Sequence, residues 1–271
     1  MRVGFIGLGS QGAPMARRIV EAGFPTTLWA RRPVTLEPFA GTPAKVAASP
    51  AELAAECDLV CLCVVGDADV EEITFGESGL LAGMQPGGVI AVHSTVHPNT
   101  CRDIAEKAST QGISILDAPV SGGAPAAAAG RLLVMVGGEG DVVRRCRPVF
   151  EAHSDAVVHL GELGSGQTTK LLNNLLFTAN LGTAAAALTL ADNLGVSPTR
   201  LAEVVSRSSG NSFALNSIGK TGGLERLAGL AGTLLQKDVR LLVDLAERAS
   251  ASGGAVLDAA DAALAQMDVA R

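Results

Sequence analysis

Residues 2–16 read RVGFIGLGSQGAPMA: a short apolar segment, a turn with glycines at 7, 9 and 12, then residues at helical spacing. Few folds accept a strand that ends in Gly-x-Gly-x-x-Gly and opens a helix. Gly7 permits the tight turn, Gly9 lets backbone approach a pyrophosphate, and Gly12 lets the helix lie close on the strand. The helix N-terminus offers unpaired N–H groups and a partial positive charge to the phosphates. Leu8, Ser10 and Gln11 complete the loop, so residues 7–12 as a whole are the predicted dinucleotide cradle. The position of the motif, at the head of a strand–helix series, makes it far more specific than the same glycines alone.

Further strand signals fall at residues 26–30, 58–65, 89–93, 113–117, 132–136 and 156–160, with helical spacing at 11–22, 51–56, 99–111 and 141–151. Residues 58–65 (DLVCLCVV) are continuously apolar after the opening Asp58, the pattern of a strand covered on both faces. The alternation predicts an α/β fold with a Rossmann-type, doubly wound parallel sheet. From about residue 166 no strand signal survives. Residues 167–194 read as one helix about 40 Å long, stopped at Gly195. Ser197-Pro198 starts another helix, and two more follow near 230–251 and 255–267. The alanines at 126–129 read as a loop or a helix start. The expected domains are therefore residues 1–162, a nucleotide-binding sheet, and residues 163–271, an all-α C-terminal domain.

Composition narrows the function classes. The chain is 48% hydrophobic and 18% charged, which excludes disorder. Five cysteines, with no C-x-x-C pair, read as free thiols of a reducing, cytoplasmic compartment. A net charge of −6 with no basic stripe argues against nucleic acid. Small anions stay open, because local backbone donors can hold them. No stretch of about 18 charge-free apolar residues is expected in the chain, and so no transmembrane helix, and MRVGFIGLG is too short and glycine-rich for a signal peptide.

The residues after the second strand bear on the coenzyme. Here they read Trp29-Ala30-Arg31-Arg32-Pro33, without the acid that binds a ribose 2′-hydroxyl. Arg31 and Arg32 can hold a 2′-phosphate by charge-assisted bonds. The expected coenzyme is NADP(H), with NAD the alternative and two solvated loop arginines the bland reading.

Two stretches carry candidate chemistry. Asp117-Ala118-Pro119-Val120-Ser121-Gly122-Gly123 follows a strand, at the edge where open α/β sheets bind ligands. The Ser121 hydroxyl and the glycine N–H groups can hold a carboxylate there; alone, the segment is an ordinary turn. In GSGQTTKLLNN (164–174), Lys170, Asn173 and Asn174 stand at i, i+3 and i+4, on one helix face. A lysine near a helix N-terminus opposes the macrodipole, a mild cost that favours a functional reading over a solvated one.

Together these stretches resemble the β-hydroxyacid dehydrogenase family, typified by 3-hydroxyisobutyrate dehydrogenase. The resemblance rests on GFIGLGSQGAPMA (4–16), Ser94-Thr95 before Pro98, DAPVSGGAPAAAAGRLLVMVGG (117–138), GSGQTTKLLNN (164–174) and QKDVRLLVDLA (236–246). It implies a Rossmann domain followed by an all-helical domain, with the active site in the cleft between them. Lys170 would be the general acid/base. Ser121, Gly122 and Gly123 would hold the substrate carboxylate, Asn174 would bind substrate with Asn173 beside it, and Ser212 would stand on the substrate side. Lys237 would reach the nicotinamide end, and Thr95, Val64 and Val65 would line the coenzyme site. The implied substrate is a small carboxylate or semialdehyde. A lysine at the ordinary value of about 10.4 is a weak base near neutrality, and burial or nearby positive charge improves it.

The chain departs from the family pattern at Ala186, where a Glu is common, at Leu230, where a Phe is common, and at Val64-Val65 in place of leucine-proline. It also ends short of the usual closing segment. These departures bear on the substrate and leave the fold intact. Imine reductases share the architecture but typically lack the lysine, and a 6-phosphogluconate dehydrogenase is much longer. An imine reductase-like enzyme, another semialdehyde or glyoxylate reductase, or a non-catalytic NADP-binding scaffold are the alternatives. His93 and His97 lack a third metal ligand: His93 is expected to end a buried strand and His97 to line the cleft. His153 and His159 read as surface residues, and the cysteines as small core hydrophobes. Apolar, Ala/Gly-rich helices in the second half predict a homodimer or homotetramer.

Overall fold

The computed structural model describes residues 1–271 and divides into two compact units, Met1–Lys170 and Leu171–Arg271. The expected division at 162/163 falls in the loop before a long helix, whose first turn belongs to the first unit.

The first unit begins β1 (Val3–Ile6), α1 (Gly12–Glu21), β2 (Thr26–Trp29), a 3₁₀ turn at Pro33–Phe39, β3 (Lys45–Val46), α2 (Pro50–Ala55), β4 (Leu59–Leu62) and α3 (Asp67–Phe75). It continues with α4 (Leu80–Gly83), β5 (Val89–Val92), α5 (Pro98–Ser109) and β6 (Ser114–Asp117). These six strands form one parallel sheet in the order β3-β2-β1-β4-β5-β6, the dinucleotide-binding arrangement with its switch point between β1 and β4. The apolar run at 58–65 follows from the two layers. Leu59 and Cys61 join one core with Met15 and Ile19 of α1, while Val60 and Leu62 join another with Leu53, Val70 and Ile104 from the opposite helices. Every side chain of β4 is buried, so alternation with polar residues has no place in it.

A second sheet was not anticipated as separate. After β6 come β7 (Val120–Ser121), α6 (Gly123–Ala128), β8 (Leu132–Val136), α7 (Gly140–Glu151) and β9 (Ser154–His159). β7 pairs antiparallel and β9 parallel with β8, and an Asp117–Gly137 bridge is the ladder contact joining this three-stranded sheet to the first. The 3₁₀ turn, β3, α3, α4 and β7 also escaped the sequence reading, because they are short or lack a clear period.

The second unit is helical: most of α8 (Ser165–Asn193), then α9 (Pro198–Val205), α10 (Phe213–Thr221), α11 (Leu224–Arg248) and α12 (Gly254–Gln266). Leu171, Leu175 and Ala179 stand four apart on α8 and are buried with Leu235, Val239 and Leu242 of α11 and Leu264 of α12. Gly182 lets α8 approach α12: a Cβ there would sit 2.8 Å from that of Ala263. Ser197 caps α9 by accepting from Arg200 N–H, as its sequence context implies. Two expectations need correction. Residues 171–191 carry no charge, and α8 is long and apolar enough by composition to cross a membrane; in this fold its Leu171, Leu175 and Leu181 join the core of the second unit.

The other correction concerns His153, which is fully buried rather than superficial. Its ring meets that of His93 edge-on at 5.5 Å, beside Phe150. His93 Nδ1–H donates to Ala118 O at 2.7 Å. Burial pushes His93 down to about 4 from 6.5 and His153 well below 6.5. Both rings are therefore neutral in the fold and protonate on unfolding, so their stabilisation is complete above pH 6.5 and is lost as pH falls towards 4. Urea unfolding across that window is expected to lose about 3 kcal/mol through His93 alone, and less in a His93→Phe variant. Asp117, raised chiefly by burial, acts in the opposite sense, favouring the fold at low pH. Identical profiles for wild type and His93→Phe would show that this pair does not govern acid sensitivity.

Candidate active site

Parallel strands deliver their C-terminal ends to one edge of the sheet, and most of the candidate residues of the first unit follow those ends. The β1–α1 turn is built around its glycines. Gly7 has φ +99°, and a Cβ on it would overlap Cys63 O, just beyond β4. A Cβ on Gly12 would overlap Gly7 O. Both glycines are therefore demanded by the packing of α1 on the strands. Gly9 is different: a Cβ there would meet nothing within 4 Å. The bare backbone at Gly9 leaves room for a group arriving from outside, as a pyrophosphate would. Leu8 is buried, whereas Ser10 is exposed and Gln11 half-buried at the turn. α1 has no side-chain cap and no acid in its first turn, so its N-terminal field faces an anion unopposed. The residues present fit a dinucleotide.

Arg31 and Arg32 follow β2, and both are exposed. Arg31 is not simply solvated: its guanidinium lies 3.1 Å from Asp69 and 2.8 Å from Glu72, both on α3. After β4, Val64 is half-buried and Val65 exposed. Val64 N–H donates to Ser94 Oγ at 2.8 Å, joining the β4 and β5 loops just before half-buried Thr95. His97 caps α5 by accepting from Asn99 N–H, and its own N–H donates to Asp67.

Ser121 closes β7, and Gly122 (φ +129°) and Gly123 (φ +71°) turn the chain into α6 in backbone that favours glycine. Ser121 is half-buried and the two glycines are exposed. Lys170, half-buried, stands near the start of α8. Two residues not singled out from the sequence secure that start. Asp117, fully buried at the end of β6, accepts from Gly164 N–H (2.7 Å) and Gln167 N–H (2.6 Å). Gln167, also fully buried, donates from Nε2 to Ser94 O (2.7 Å) and accepts from Val96 N–H (3.2 Å). Both lay inside quoted motifs. Asp117 ends an apolar strand, whereas Gln167, set among Ser, Gly and Thr, carries no local sign of burial.

In the second unit the candidates form a chain of contacts. Asn173, exposed, donates to Asn174, which donates to Asp238 Oδ2 at 2.5 Å, and Lys237 Nζ lies 2.8 Å from Asp238 Oδ1. Asp238 is only 4% exposed and was not marked as a site residue; it ties Asn174 of α8 to Lys237 of α11. Ser212 caps α10, accepting from Leu215 N–H at 3.1 Å, which leaves its own proton to donate. Leu230 and Ala186 are exposed.

The family model for the NAD binding domain of 6-phosphogluconate dehydrogenase matches residues 2–161. The model for the NAD-binding region of NADP-dependent 3-hydroxyisobutyrate dehydrogenase matches residues 164–269. The chain belongs to the β-hydroxyacid dehydrogenase family. As a member it is an NAD(P)-dependent oxidoreductase. It is 34% identical to the 3-hydroxyisobutyrate dehydrogenase of Pseudomonas aeruginosa over 258 residues, which is 92% of this chain and 87% of that one. It is 33% identical to the NAD-dependent L-serine dehydrogenase of the same organism over 259 residues, 93% of this chain and 87% of the other. Among solved structures, that of the Mycobacterium tuberculosis 3-hydroxyisobutyrate dehydrogenase with L-serine aligns with a TM-score of 0.86 at 30% identity, covering 100% of this chain and 96% of that one.

Proposed function

We propose that this family member interconverts a small 3-hydroxy acid and the corresponding semialdehyde, with NADP(H) as coenzyme and Lys170 as general acid/base. The observation that carries the reading is the placement of Lys170. It stands near the start of α8, and that first turn is bonded to Asp117 and to the Ser94–Val96 loop of the sheet that bears the glycine cradle. The nicotinamide ring, when bound, supplies or accepts the hydride. Residues 7–12 hold the pyrophosphate by backbone N–H groups and the α1 terminus. Ser121 Oγ and the N–H groups of Gly122 and Gly123 hold the substrate carboxylate. In reduction the Lys170 ammonium donates its proton to the carbonyl oxygen; in oxidation the neutral amine takes the hydroxyl proton. In the second unit, Asn174 and Lys237, tied together by Asp238, and Ser212 with its donor proton are the residues the family resemblance assigns to substrate and coenzyme. Arg32 is the arginine assigned first to the 2′-phosphate, since Arg31 is engaged by two carboxylates.

The relatives act on 3-hydroxyisobutyrate and L-serine by their names, which supports a three- or four-carbon hydroxy acid. The exposed Leu176, Leu190, Leu194, Val204 and Leu234 of the second unit support a homodimer or homotetramer. The five free cysteines support a cytoplasmic enzyme.

NADPH oxidation with methylmalonate, tartronate and succinic semialdehydes and glyoxylate, and NADP reduction with 3-hydroxyisobutyrate and L-serine, test the reading. Turnover is expected with methylmalonate or tartronate semialdehyde or the matching hydroxy acid, faster with NADP(H) than NAD(H), whereas turnover of succinic semialdehyde or glyoxylate alone supports another reductase; Arg32→Ala is expected to narrow the coenzyme gap about tenfold. Coenzyme binding without turnover across the panel supports the scaffold instead, and preference for NAD(H) removes Arg32 from its assigned role.

A further inference from the structure

The first turn of α8 is capped from a distance. A helix start leaves four N–H groups without intrahelical partners, and a side chain just before the helix ordinarily accepts from them. In this chain the residue at that place is Gly164, which has no side chain. Asp117 takes over the work from the end of β6, accepting from Gly164 and Gln167 with one oxygen each. Backbone closes around the carboxylate. A Cβ on Gly137 would overlap Oδ1, and one on Gly166 would come within 2.9 Å of Oδ2 while overlapping Met135 O. The carboxylate is thus held by shape as well as by bonds, between the two sheets at the Asp117–Gly137 bridge.

Gln167 makes the second tie. Its amide spans Ser94 O and Val96 N–H, on either side of Thr95, and Ser94 Oγ in turn accepts from Val64 N–H. Three segments therefore meet on two side chains. Asp117 is four residues before Ser121, Gln167 brackets Thr95, and Lys170 follows Gln167 by three residues, less than one helical turn. A turn anchored at both its backbone and its third residue fixes where the Lys170 backbone stands relative to the Thr95 and Ser121 loops.

We propose that Asp117 and Gln167 are positioning residues that hold the Lys170 side chain in register with the Thr95 and Ser121 loops. The inference rests on the general acid/base reading of Lys170 given above. Neither residue is required to touch substrate or coenzyme. Each acts through the α8 turn, and a displacement near 1 Å at the reacting group is enough to cost about a hundredfold in rate.

The test is a pair of double-mutant cycles, with Asp117→Asn and Gln167→Met each made in wild type and in Lys170→Ala, and assayed with the panel compound that turns over fastest. In wild type each is expected to lower kcat at least tenfold while the dissociation constant for NADPH changes less than threefold. In Lys170→Ala neither is expected to lower kcat further, because the group they position is gone. Equal losses in both backgrounds would assign them a general structural role and overturn the proposal. A Lys170→Ala enzyme with wild-type activity would instead overturn the acid/base reading itself. Hydrogen exchange on the coenzyme-free protein gives a readout independent of turnover. The amides of Gly164 and Gln167 are expected to lose protection in Asp117→Asn, and undiminished protection would also overturn the proposal. Gln167→Met keeps the test decisive should Asp117→Asn fail to fold.

Discussion

Gly9→Val is expected to weaken NADPH binding by a hundredfold or more, about 2.7 kcal/mol, while leaving the melting temperature near that of wild type. The expectation comes from what surrounds each glycine of the cradle. A Cβ at position 9 meets no protein atom within 4 Å, so adding one there creates no clash at that atom, and a surface change of this kind stays within about 0.5 kcal/mol. On the proposed reading the added methyls fill the space where the pyrophosphate comes close to backbone. Gly12→Val makes the contrast. Its Cβ would overlap Gly7 O and lie 3.1 Å from the Cys63 Cβ. The start of α1 must therefore lift from β1 and β4, and both stability and binding are lost, the former by about 1–3 kcal/mol. Isothermal titration with NADPH and a thermal melt on both variants separate the two roles. Undiminished binding by Gly9→Val would remove the pyrophosphate from this turn.

Much of this was readable in the chain before its fold. The strand–turn–helix at residues 2–16 appears as β1 and α1 with the glycines at the turn, because Gly7 and Gly12 answer a local steric demand that sequence records directly. Continuous apolar runs became strands covered on both faces, and the loss of strand signals beyond residue 166 marked the helical unit. Short elements were lost. β3 and β7 have two residues each, too few for a period of two to show, and they exist because a neighbouring strand offers an open ladder. Ser121 was read as part of a turn, whereas it ends β7 by pairing with Leu133.

The candidate site was readable in part for the same reason. Lys170, Asn173 and Asn174 stand out by polarity on an apolar helix. The residues that hold the first turn of that helix do not. Asp117 and Gln167 are linked through bonds that span 47, 50, 71 and 73 positions, and no local pattern announces such a partner. His153 was misplaced on similar grounds. An isolated histidine between a helix and a strand gives no sign of burial, and only the meeting with His93 and Phe150 makes it part of the core. Arg31 shows a further limit: the acids of α3 that engage it follow 38 and 41 residues later, so its partial neutralisation was invisible from the loop that carries it.

The account turns on whether Lys170 moves the proton. A positioned acid/base contributes about 10²–10⁴ in rate, and nothing in the glycine cradle or the carboxylate loop can replace an ammonium at the reacting oxygen. The lysine is not needed to build α8, whose first turn is held by Asp117 and Gln167. Lys170→Ala is accordingly expected to fold and to bind NADPH as wild type does. Its kcat is expected to fall by two orders of magnitude or more with the semialdehyde that the wild-type enzyme reduces fastest. The most direct measurement is a single-turnover comparison of NADPH oxidation by the two proteins at saturating coenzyme and semialdehyde. A loss confined to the chemical step is the result expected, and oxidation of NADPH by Lys170→Ala within a few-fold of the wild-type rate would contradict the account.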